Sequence, residues 1–333
     1  MGKFRTLDLF SGLGGFAYGL KSISNVVAYC EKSSDCQAVL SRNMSLGRIS
    51  KGKIFGDVQK LQVKDLPRNI TMITGGFPCQ DISAANPHGK GIQGERSGLV
   101  MHIFRLLKDM PTVTHVILEN SPRIKVKGLD KLVELFGHLG FSCKWTTVAC
   151  TEVGIPMLRQ RWFCLATRNN AIKTTNAKTL KPLKLTPHNW NVEPVNRLIL
   201  KGPDYFKNLH RLQMLGNAVV PQCLQRAVNH LMFGVDTGAN PPDVDIELHL
   251  YGGKRFKSTR WPSPTTVWQP CLNDKAFGSR CRRMLVTQMF YDARTKMQVP
   301  DSLAKHMSHI YVANPRWVEW LMGFPEDHTF FTR

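Results

Sequence analysis

Paired cysteines are missing from this sequence. Nine cysteines occur among the 333 residues, an odd number, and none of them forms a C-x-x-C pair. This pattern argues against a disulfide framework and against a cysteine-rich zinc site. His306 and His309 have H-x-x-H spacing, but no acidic residue or cysteine adjoins them. We therefore expect no metal site, and a reducing compartment suits the free thiols best.

Long apolar runs are missing as well. No run is long enough to span a bilayer, and the first ten residues, MGKFRTLDLF, lack the apolar region of a secretory signal. The hydrophobic content of 42% nevertheless supports a core of ample size. We therefore expect a globular protein that is neither secreted nor inserted in a membrane.

Acidic residues are scarce relative to basic ones. The chain has 24 Asp and Glu against 45 Lys and Arg, which gives a net charge of +21. A solvated basic surface is one explanation, but binding to a polyanion is the usual physical use of such an excess. Residues 251–300 hold ten Lys and Arg, interleaved with aromatic residues and opposed only by Asp274 and Asp292. DNA, RNA and acidic membranes all stay open on charge alone.

Short apolar runs alternate with helical stretches through the first half of the chain, which predicts an α/β fold with a doubly wound, Rossmann-like sheet. The strands are expected at residues 6–10, 26–30, 72–73, 115–118, 145–148 and 162–165, and the helices at 16–21, 97–108 and 130–138. Ligands bind such sheets beyond the carboxyl ends of the strands. We therefore expect Gly12–Gly15, Glu31, Cys79 and Glu119 to converge at one edge.

The second half of the chain is organised differently. Residues 169–201 form a Lys-, Pro- and Thr-rich connector, and a helical segment follows with Gly216 and Asn217 at its front. The clearest linker is TGANPP at residues 237–242. The basic region comes after this linker, which predicts a second, smaller, basic C-terminal domain.

The stretch DLFSGLGG (8–15) has features of a nucleotide-binding site. A strand leads into a glycine turn that opens a helix, where a ligand can approach the backbone and free N–H groups. A tight turn between strand and helix explains the same glycines. Glu31 ends the next strand and can either grip ribose hydroxyls or cap a helix. Asp57 fits a contact with an adenine amine or an ordinary turn.

The segment GGFPCQ (75–80) presents a thiol in a turn at the tip of a strand, behind Pro78. Cys79 either fills a small hole, as free cysteines commonly do, or acts as a nucleophile toward electron-poor carbon. Glu119 also ends a strand. With a raised pKa it can protonate a ring nitrogen, and otherwise it caps the segment that follows.

Several segments resemble, in order, the motifs of the cytosine-5 DNA methyltransferases, which use S-adenosylmethionine. They cover residues 5–232 and are DLFSGLGGF (8–16), GGFPCQDIS (75–83), GERSGL (94–99), ENSPRI (119–124), GIPMLRQRWF (154–163) and LGNAVVPQ (215–222). Their shared order is far more specific than any one motif. The sequence departs from the family pattern at Ser121, where Val is usual, and at Met157, where Gln is usual.

The resemblance implies a mechanism. Cys79 would attack carbon 6 of a cytosine flipped out of its duplex, and Glu119 would contact ring nitrogen 3. Methylation of carbon 5 and loss of its proton would follow. Arg159 and Arg161 would hold the base and orient the carboxylate, and Pro78 would shape the loop. The residues implied to bind S-adenosylmethionine are Phe10, Gly12, Leu13, Gly14, Glu31, Asp57, Leu99, Asn217 and Val219.

The segment NPRWVEWLMGFPEDH (314–328) resembles a family stretch that usually precedes the late Gly-Asn motif, but here it follows that motif. Target recognition is therefore expected behind the catalytic part, in a permuted order. We expect a catalytic, cofactor-binding domain (1–168), a connector (169–209), a helix that completes the catalytic domain (210–234) and a target-recognition domain (235–333).

Contacts with DNA are expected from polar side chains behind the thiol and from the basic C-terminal region. These residues are Gln80, Ser83, Lys254, Arg255, Lys257, Arg260, Arg280, Arg282 and Arg283. Trp317 and Trp320 are expected to be core residues instead.

The leading hypothesis is a monomeric DNA cytosine-5 methyltransferase that acts on a short specific sequence of double-stranded DNA. A cognate restriction endonuclease encoded elsewhere is a candidate partner. A tRNA cytosine-5 methyltransferase and a catalytically inactive DNA-binding regulator stay open as alternatives. The expected location is the cytoplasm or nucleoid of a prokaryotic or phage-infected cell, or the host cell or nucleus for a eukaryotic virus.

Overall fold

The computed structural model describes residues 2–78, 97–155, 159–169, 180–188, 195, 198–200, 202–235, 245–249, 255–259 and 311–331. Its strands are β1 (Phe4–Leu9), β2 (Ser24–Cys30), β3 (Lys53–Phe55), β4 (Met72–Gly76), β5 (His115–Asn120), β6 (Phe141–Ala149), β7 (Gln160–Arg168), β8 (Leu198–Leu200), β9 (Asp245–His249), β10 (Arg255–Thr259) and β11 (Tyr311–Ala313). Its α-helices are α1 (Gly15–Gly19), α2 (Ser34–Ser45), α3 (Met101–Lys108), α4 (Ile124–Lys127), α5 (Leu129–His138), α6 (Tyr205–Asn217), α7 (Pro221–Val228) and α8 (Pro315–Leu321).

Seven strands form one sheet in the order β3-β2-β1-β4-β5-β7-β6. The strands β1 to β5 are parallel to one another, whereas β7 runs antiparallel to both β5 and β6. Two smaller sheets pair β10 with β9 and β11 with β8, each antiparallel. The predicted α/β class with a Rossmann-like sheet is confirmed.

Apolar side chains cover both faces of the seven-stranded sheet, as a mainly parallel sheet requires. On one face, Met72 and Ile117 join a cluster that includes residues of α1, α6 and α7. On the other face, Ile73 and Val116 pack with residues of α3 and α5. Neighbouring residues of one strand therefore serve opposite layers, because successive side chains in a strand point to opposite faces.

The structure differs from the sequence predictions in three places. The short strand β3 was not predicted, because its three residues are only partly buried and carry little apolar pattern. The helix expected over 97–108 begins as a 3₁₀ turn, Ser97–Val100, before α3. Gly216 and Asn217 end α6 rather than open a helix, since Ala218 is extended and Pro221 occupies the first turn of α7.

We call residues 314–331 the C-terminal strap. Trp317 and Trp320 are buried within it and join the same apolar cluster as α1 and α7, which confirms that they are core residues. The strap is therefore packed against the layer of α1, α6 and α7 that covers one face of the seven-stranded sheet. None of the helices in the described ranges is both long and apolar enough to cross a bilayer.

A buried ion pair connects the strap to α6. Nη2 of Arg211 lies 2.9 Å from Oε1 of Glu319, which is fully buried. The same carboxylate oxygen accepts the backbone N–H and the hydroxyl of Thr329. Because a buried carboxylate is costly without a partner, this arrangement couples the position of the strap to that of α6.

We predict that Arg211→Met will lower the free energy of unfolding by about 3–5 kcal/mol, since it leaves the Glu319 carboxylate buried and unpaired. Urea denaturation measures the change. The control is Arg316→Met, which removes a half-exposed arginine paired with Asp327 in the same strap. The control should lose less than about 1 kcal/mol. Equal losses in the two variants would contradict the importance of the buried pair.

Candidate active site

The candidate site lies where the carboxyl ends of β1, β4 and β5 meet the beginning of β7. Gly76, the last residue of β4, is paired with Glu119 near the end of β5. Glu119 is also paired with Phe163 of the antiparallel β7. The first residues of β7 therefore lie beside the last residues of β5, which brings Arg161 to the edge that carries Glu119.

The buried Glu119 forms an ion pair with the partly exposed Arg161. Nε of Arg161 lies 2.9 Å from Oε1 of Glu119, and Glu119 is 7% exposed. Burial raises the pKa of Glu119 above its usual 4.5, and the charges of Arg161 and Arg159 offset part of that rise. This environment eases protonation of the carboxylate, as general acid chemistry requires.

Arg159 has different partners from Arg161. Its Nη1 donates to the carbonyl of Gly216 (3.0 Å) and its Nη2 to the carbonyl of Ala218 (2.6 Å). Burial lowers the pKa of this guanidinium to about 10, so it stays charged at neutral pH. Arg159 thus fixes the turn between α6 and α7. Its expected contact with a base stays a prediction.

Asn120 fixes the residue that follows β4, a role that the sequence pattern did not predict. Its Nδ2 donates to the carbonyl of Phe77 (3.2 Å), and its Oδ1 accepts the N–H of Ser121 (2.7 Å). Phe77 is buried and immediately precedes Pro78. The signal in the sequence was an amide next to the candidate acid Glu119 at a strand end.

The glycine loop after β1 has an unusual backbone. Gly12 and Gly14 have φ values of 51° and 77°, and the non-glycine Phe10 has a φ of 53°. Such a value in a bulky residue is uncommon and is held only by surrounding contacts. The loop is held at Gly12 by the carboxylate of Glu31, whose Oε2 accepts the N–H of Gly12 (2.8 Å). Its Oε1 accepts the N–H of Ser33 (2.8 Å).

The loop also lacks room for side chains. A Cβ atom at Gly15 would lie 2.9 Å from the carbonyl oxygen of Val219, and one at Gly14 would lie 3.1 Å from the side chain of Leu40. Val219 follows the turn that Arg159 holds, so the late Gly-Asn motif packs directly on the glycine loop. Asn217 ends α6, and Leu99 lies in the 3₁₀ turn and packs against the α3 and α5 layer.

The glycine loop, together with Glu31 and Asp57, fits a nucleoside-bearing cofactor. Glu31 and Asp57 follow the ends of the neighbouring strands β2 and β3, and the N–H of Glu31 donates to the carbonyl of Phe55 (2.9 Å). Asp57 is paired with Lys32 at 3.1 Å, and a backbone N–H and this lysine lower its pKa. Two acceptor carboxylates beside a glycine loop match a ligand with hydroxyl and amino groups.

Eight of the remaining candidates lie outside the described residues. They are Cys79, Gln80, Ser83, Lys254, Arg260, Arg280, Arg282 and Arg283. Arg255 and Lys257 lie on β10. Of the residues expected at one sheet edge, Gly12–Gly15, Glu31 and Glu119 do converge. Within the described ranges, no group of three or more His, Cys, Asp or Glu is arranged to hold a metal ion.

Asp8 is fully buried at the end of β1, just before the loop. Its Oδ1 accepts the hydroxyl of Thr74 (2.6 Å), whereas its Oδ2 has no partner among the described atoms. Burial raises the pKa of Asp8 from 3.8 to about 7, and hydrogen bonds from Thr74 and Ser11 offset part of the rise. The folded state therefore binds this proton more tightly than the unfolded state.

We predict that Asp8→Asn will flatten the dependence of stability on pH. Protonated Asp8 contributes its full share to the free energy of unfolding below about pH 4. This contribution is lost as the pH rises through about 7. The shift corresponds to on the order of 4 kcal/mol. Urea denaturation at about pH 5 and about pH 8 measures the free energy of unfolding. Between these two pH values it should fall less for the variant than for the wild type. A constant difference between them would contradict the assignment.

The chain is similar to a family of known proteins. The model of the family "C-5 cytosine-specific DNA methylase" matches residues 4–201. The type II methyltransferase M.CviJI of Paramecium bursaria Chlorella virus IL3A is 33% identical over 235 residues, covering 70% of this chain and 60% of that protein. The type II methyltransferase M2.BsuMI of Bacillus subtilis (strain 168) is 32% identical over 171 residues, covering 49% and 41%.

Among solved structures, a mutant of Spodoptera frugiperda DNMT2 is 20% identical, with a TM-score of 0.43, and the match covers 52% of this chain and 53% of that one. The match with this chain spans only 60% of the length of M.CviJI and 41% of that of M2.BsuMI. The family model, in contrast, covers more than half of the chain and includes the glycine loop, Glu119 and both arginines. On this ground, the chain belongs to the C-5 cytosine-specific DNA methylase family.

Proposed function

We propose that this chain transfers a methyl group from S-adenosylmethionine to carbon 5 of cytosine within a short specific DNA sequence. The observation that carries the proposal is the ion pair between the buried Glu119 and Arg161. It lies beside the strand end from which the segment with Cys79 leaves β4. The bond from Asn120 to Phe77 fixes the chain two residues before that thiol. These contacts support a general acid, Glu119, and a nucleophile, Cys79, at the same edge of the sheet.

The residues divide the chemistry between them. The thiolate of Cys79 adds to carbon 6 of cytosine, and Glu119 hydrogen-bonds ring nitrogen 3, which makes the ring more electrophilic and then stabilises the enamine. Arg161 holds the carboxylate in place. S-adenosylmethionine supplies an electrophilic methyl group on a sulfonium sulfur. Carbon 5 would take this methyl group and leave a neutral thioether. Loss of the carbon 5 proton to water would then re-form the double bond between carbons 5 and 6 as the Cys79 thiolate leaves.

The cofactor would be held by the glycine loop on one side and by the strand-end carboxylates on the other. Glu31 and Asp57 would accept hydrogen bonds from its hydroxyl and amino groups. The backbone at Gly12 and Gly14 admits a ligand at close range because neither residue carries a side chain. Phe10, Leu13, Leu99, Asn217 and Val219 would complete the site.

We further propose that residues 236–313 recognise the DNA. This range is shorter than the expected 235–333, because the C-terminal strap is buried against the catalytic half. It then forms an insertion, with α7 before it and the strap after it. Its basic side chains would contact phosphates and guanine edges. Since a base in a duplex is out of reach, the target cytosine must be flipped into the site.

We also propose that the chain acts as a monomer, because one flipped base needs one site. The two relatives named above are called type II methyltransferases. We extend a restriction–modification role to this chain, with an endonuclease of the same specificity as its counterpart. Methylation of the recognised sequence would then protect the DNA that carries both genes.

Gly76 gives a test of the acid's position. A Cβ atom at Gly76 would lie 3.0 Å from Oε2 of Glu119. We predict that Gly76→Ala will displace the carboxylate and lower kcat by about tenfold or more, with a small change in thermal stability. The control is Gly137→Ala in α5, where no neighbouring atom lies within 4 Å. The control should keep full activity, and equal activity of both variants would contradict this geometry.

Cys79 is tested by bisulfite sequencing of DNA incubated with the purified chain and S-adenosylmethionine. We predict methylated cytosines at one short motif for the wild type and none for Cys79→Ser, because serine is a far weaker nucleophile. The control is Cys143→Ser, which removes a partly buried thiol from β6 and should leave methylation unchanged.

Two results would overturn the proposal. Full methylation by Cys79→Ser would exclude Cys79 as the nucleophile. Absence of methylation on any DNA, with S-adenosylmethionine bound, would exclude a DNA methyltransferase. A parallel assay on tRNA would then separate an RNA substrate from an inactive protein.

A further inference from the structure

The C-terminal strap reaches the glycine loop from the far end of the chain. Its backbone is held by three side chains from α2 and the turn that follows it. Arg42 donates to the carbonyl of Asp327 (2.8 Å), Asn43 to that of His328 (2.9 Å) and Arg48 to that of Glu326 (2.9 Å). The strap is thus fixed against an element that lies next to the candidate cofactor site.

Packing fixes the strap on its other side. A Cβ atom at Gly323 would collide with the side-chain amide of Gln222, and Gly323 has a φ of 71°. The next residue, Phe324, is buried and its ring stacks on the imidazole of His328, with centroids 4.6 Å apart and planes 20° apart. Tyr18 of α1 meets the same imidazole edge-on at 5.6 Å. The imidazole is therefore packed between two aromatic rings.

His328 makes one polar contact with the loop. Its Nε2 lies 2.9 Å from the carbonyl oxygen of Leu13. Burial lowers the pKa of His328 to about 3, so the ring is neutral and only one nitrogen carries a proton. Because a carbonyl only accepts hydrogen bonds, Nε2 is the protonated nitrogen. Nδ1 has no partner among the described atoms.

The carbonyl that His328 binds belongs to the most constrained part of the loop. Leu13 stands between Gly12 and Gly14, which both have positive φ. Glu31 holds the loop from the β2 side through the N–H of Gly12, and His328 holds it from the strap through the carbonyl of Leu13. Two polar side chains thereby bind the backbone of two successive residues from different directions.

We infer that His328 is a positioning residue, which fixes the peptide after Leu13 in the conformation that binds the cofactor. The inference rests on the proposed function for the identity of that cofactor. His328 itself contacts the loop and is fully buried, so its effect reaches the ligand through the loop backbone.

Three substitutions separate the hydrogen bond from the packing. His328→Phe keeps a flat ring against Phe324 and removes the donor. His328→Gln places an amide nitrogen near the position of Nε2, whereas His328→Asn places one near Nδ1, which has no partner to bind. Isothermal titration calorimetry of the full chain with S-adenosylmethionine, without DNA, measures affinity apart from activity. Thermal unfolding of each variant is followed in parallel.

We expect His328→Phe and His328→Asn to bind S-adenosylmethionine about three- to tenfold more weakly, as loss of one hydrogen bond predicts. His328→Gln should recover wild-type affinity to within about twofold. The value of kcat at saturating cofactor should stay unchanged in all three variants, while KM for the cofactor rises with the dissociation constant. Were the Phe variant unable to fold, the difference between Gln and Asn would still decide the matter.

Wild-type affinity in the Phe variant, or equal affinity of the Gln and Asn variants, would overturn the inference. A lower melting temperature without a change in affinity would do the same, because it would assign His328 to packing alone. These outcomes differ from failure of the proposed function. In that case the wild-type chain would bind S-adenosylmethionine without methylating DNA, and the ranking of the His328 variants would still hold. A wild-type chain that binds none would overturn both.

Discussion

The antiparallel placement of β7 between β5 and β6 is the constraint on which the site depends. It turns the beginning of β7 toward the end of β5, so that Arg161 meets Glu119 at 2.9 Å. In a parallel strand the same arginine would lie at the opposite edge. Glu119 would then be a buried carboxylate without a cation, which costs several kcal/mol. The direction of one strand thus gives a buried acid a charged partner.

Loops around this pair are held by side chains that bind the backbone of distant segments. Arg159 binds the carbonyls of Gly216 and Ala218, and Asn120 binds the carbonyl of Phe77. Glu31 binds the N–H of Gly12 in the same way. Such contacts fix a loop without filling the space that a ligand needs. The proposed function would therefore use a preorganised backbone, set by side chains that need not touch a substrate.

Sequence reasoning placed most strands and the candidate edge, because buried strands leave local apolar runs and strand-ending glycines. It missed β3, whose pattern is weak, and the end of α6 at Asn217. The partners of Arg159 lie 57 and 59 residues away and are backbone atoms, so no residue pattern marks them. The contact of His328 with Leu13 spans 315 residues and depends wholly on tertiary packing. Local pattern therefore identified the elements, and the long-range contacts required the structure.

The central claim is that Cys79 forms a covalent bond to cytosine beside Glu119. Duplex DNA in which 5-fluorocytosine replaces the target base tests it most directly, because fluorine cannot leave as the carbon 5 proton does. Incubation with the chain and S-adenosylmethionine should yield a stable protein–DNA adduct, and peptide mapping by mass spectrometry should place it on Cys79. Glu119→Gln should form the adduct far more slowly. An adduct on another residue, or none with active enzyme, would contradict the account.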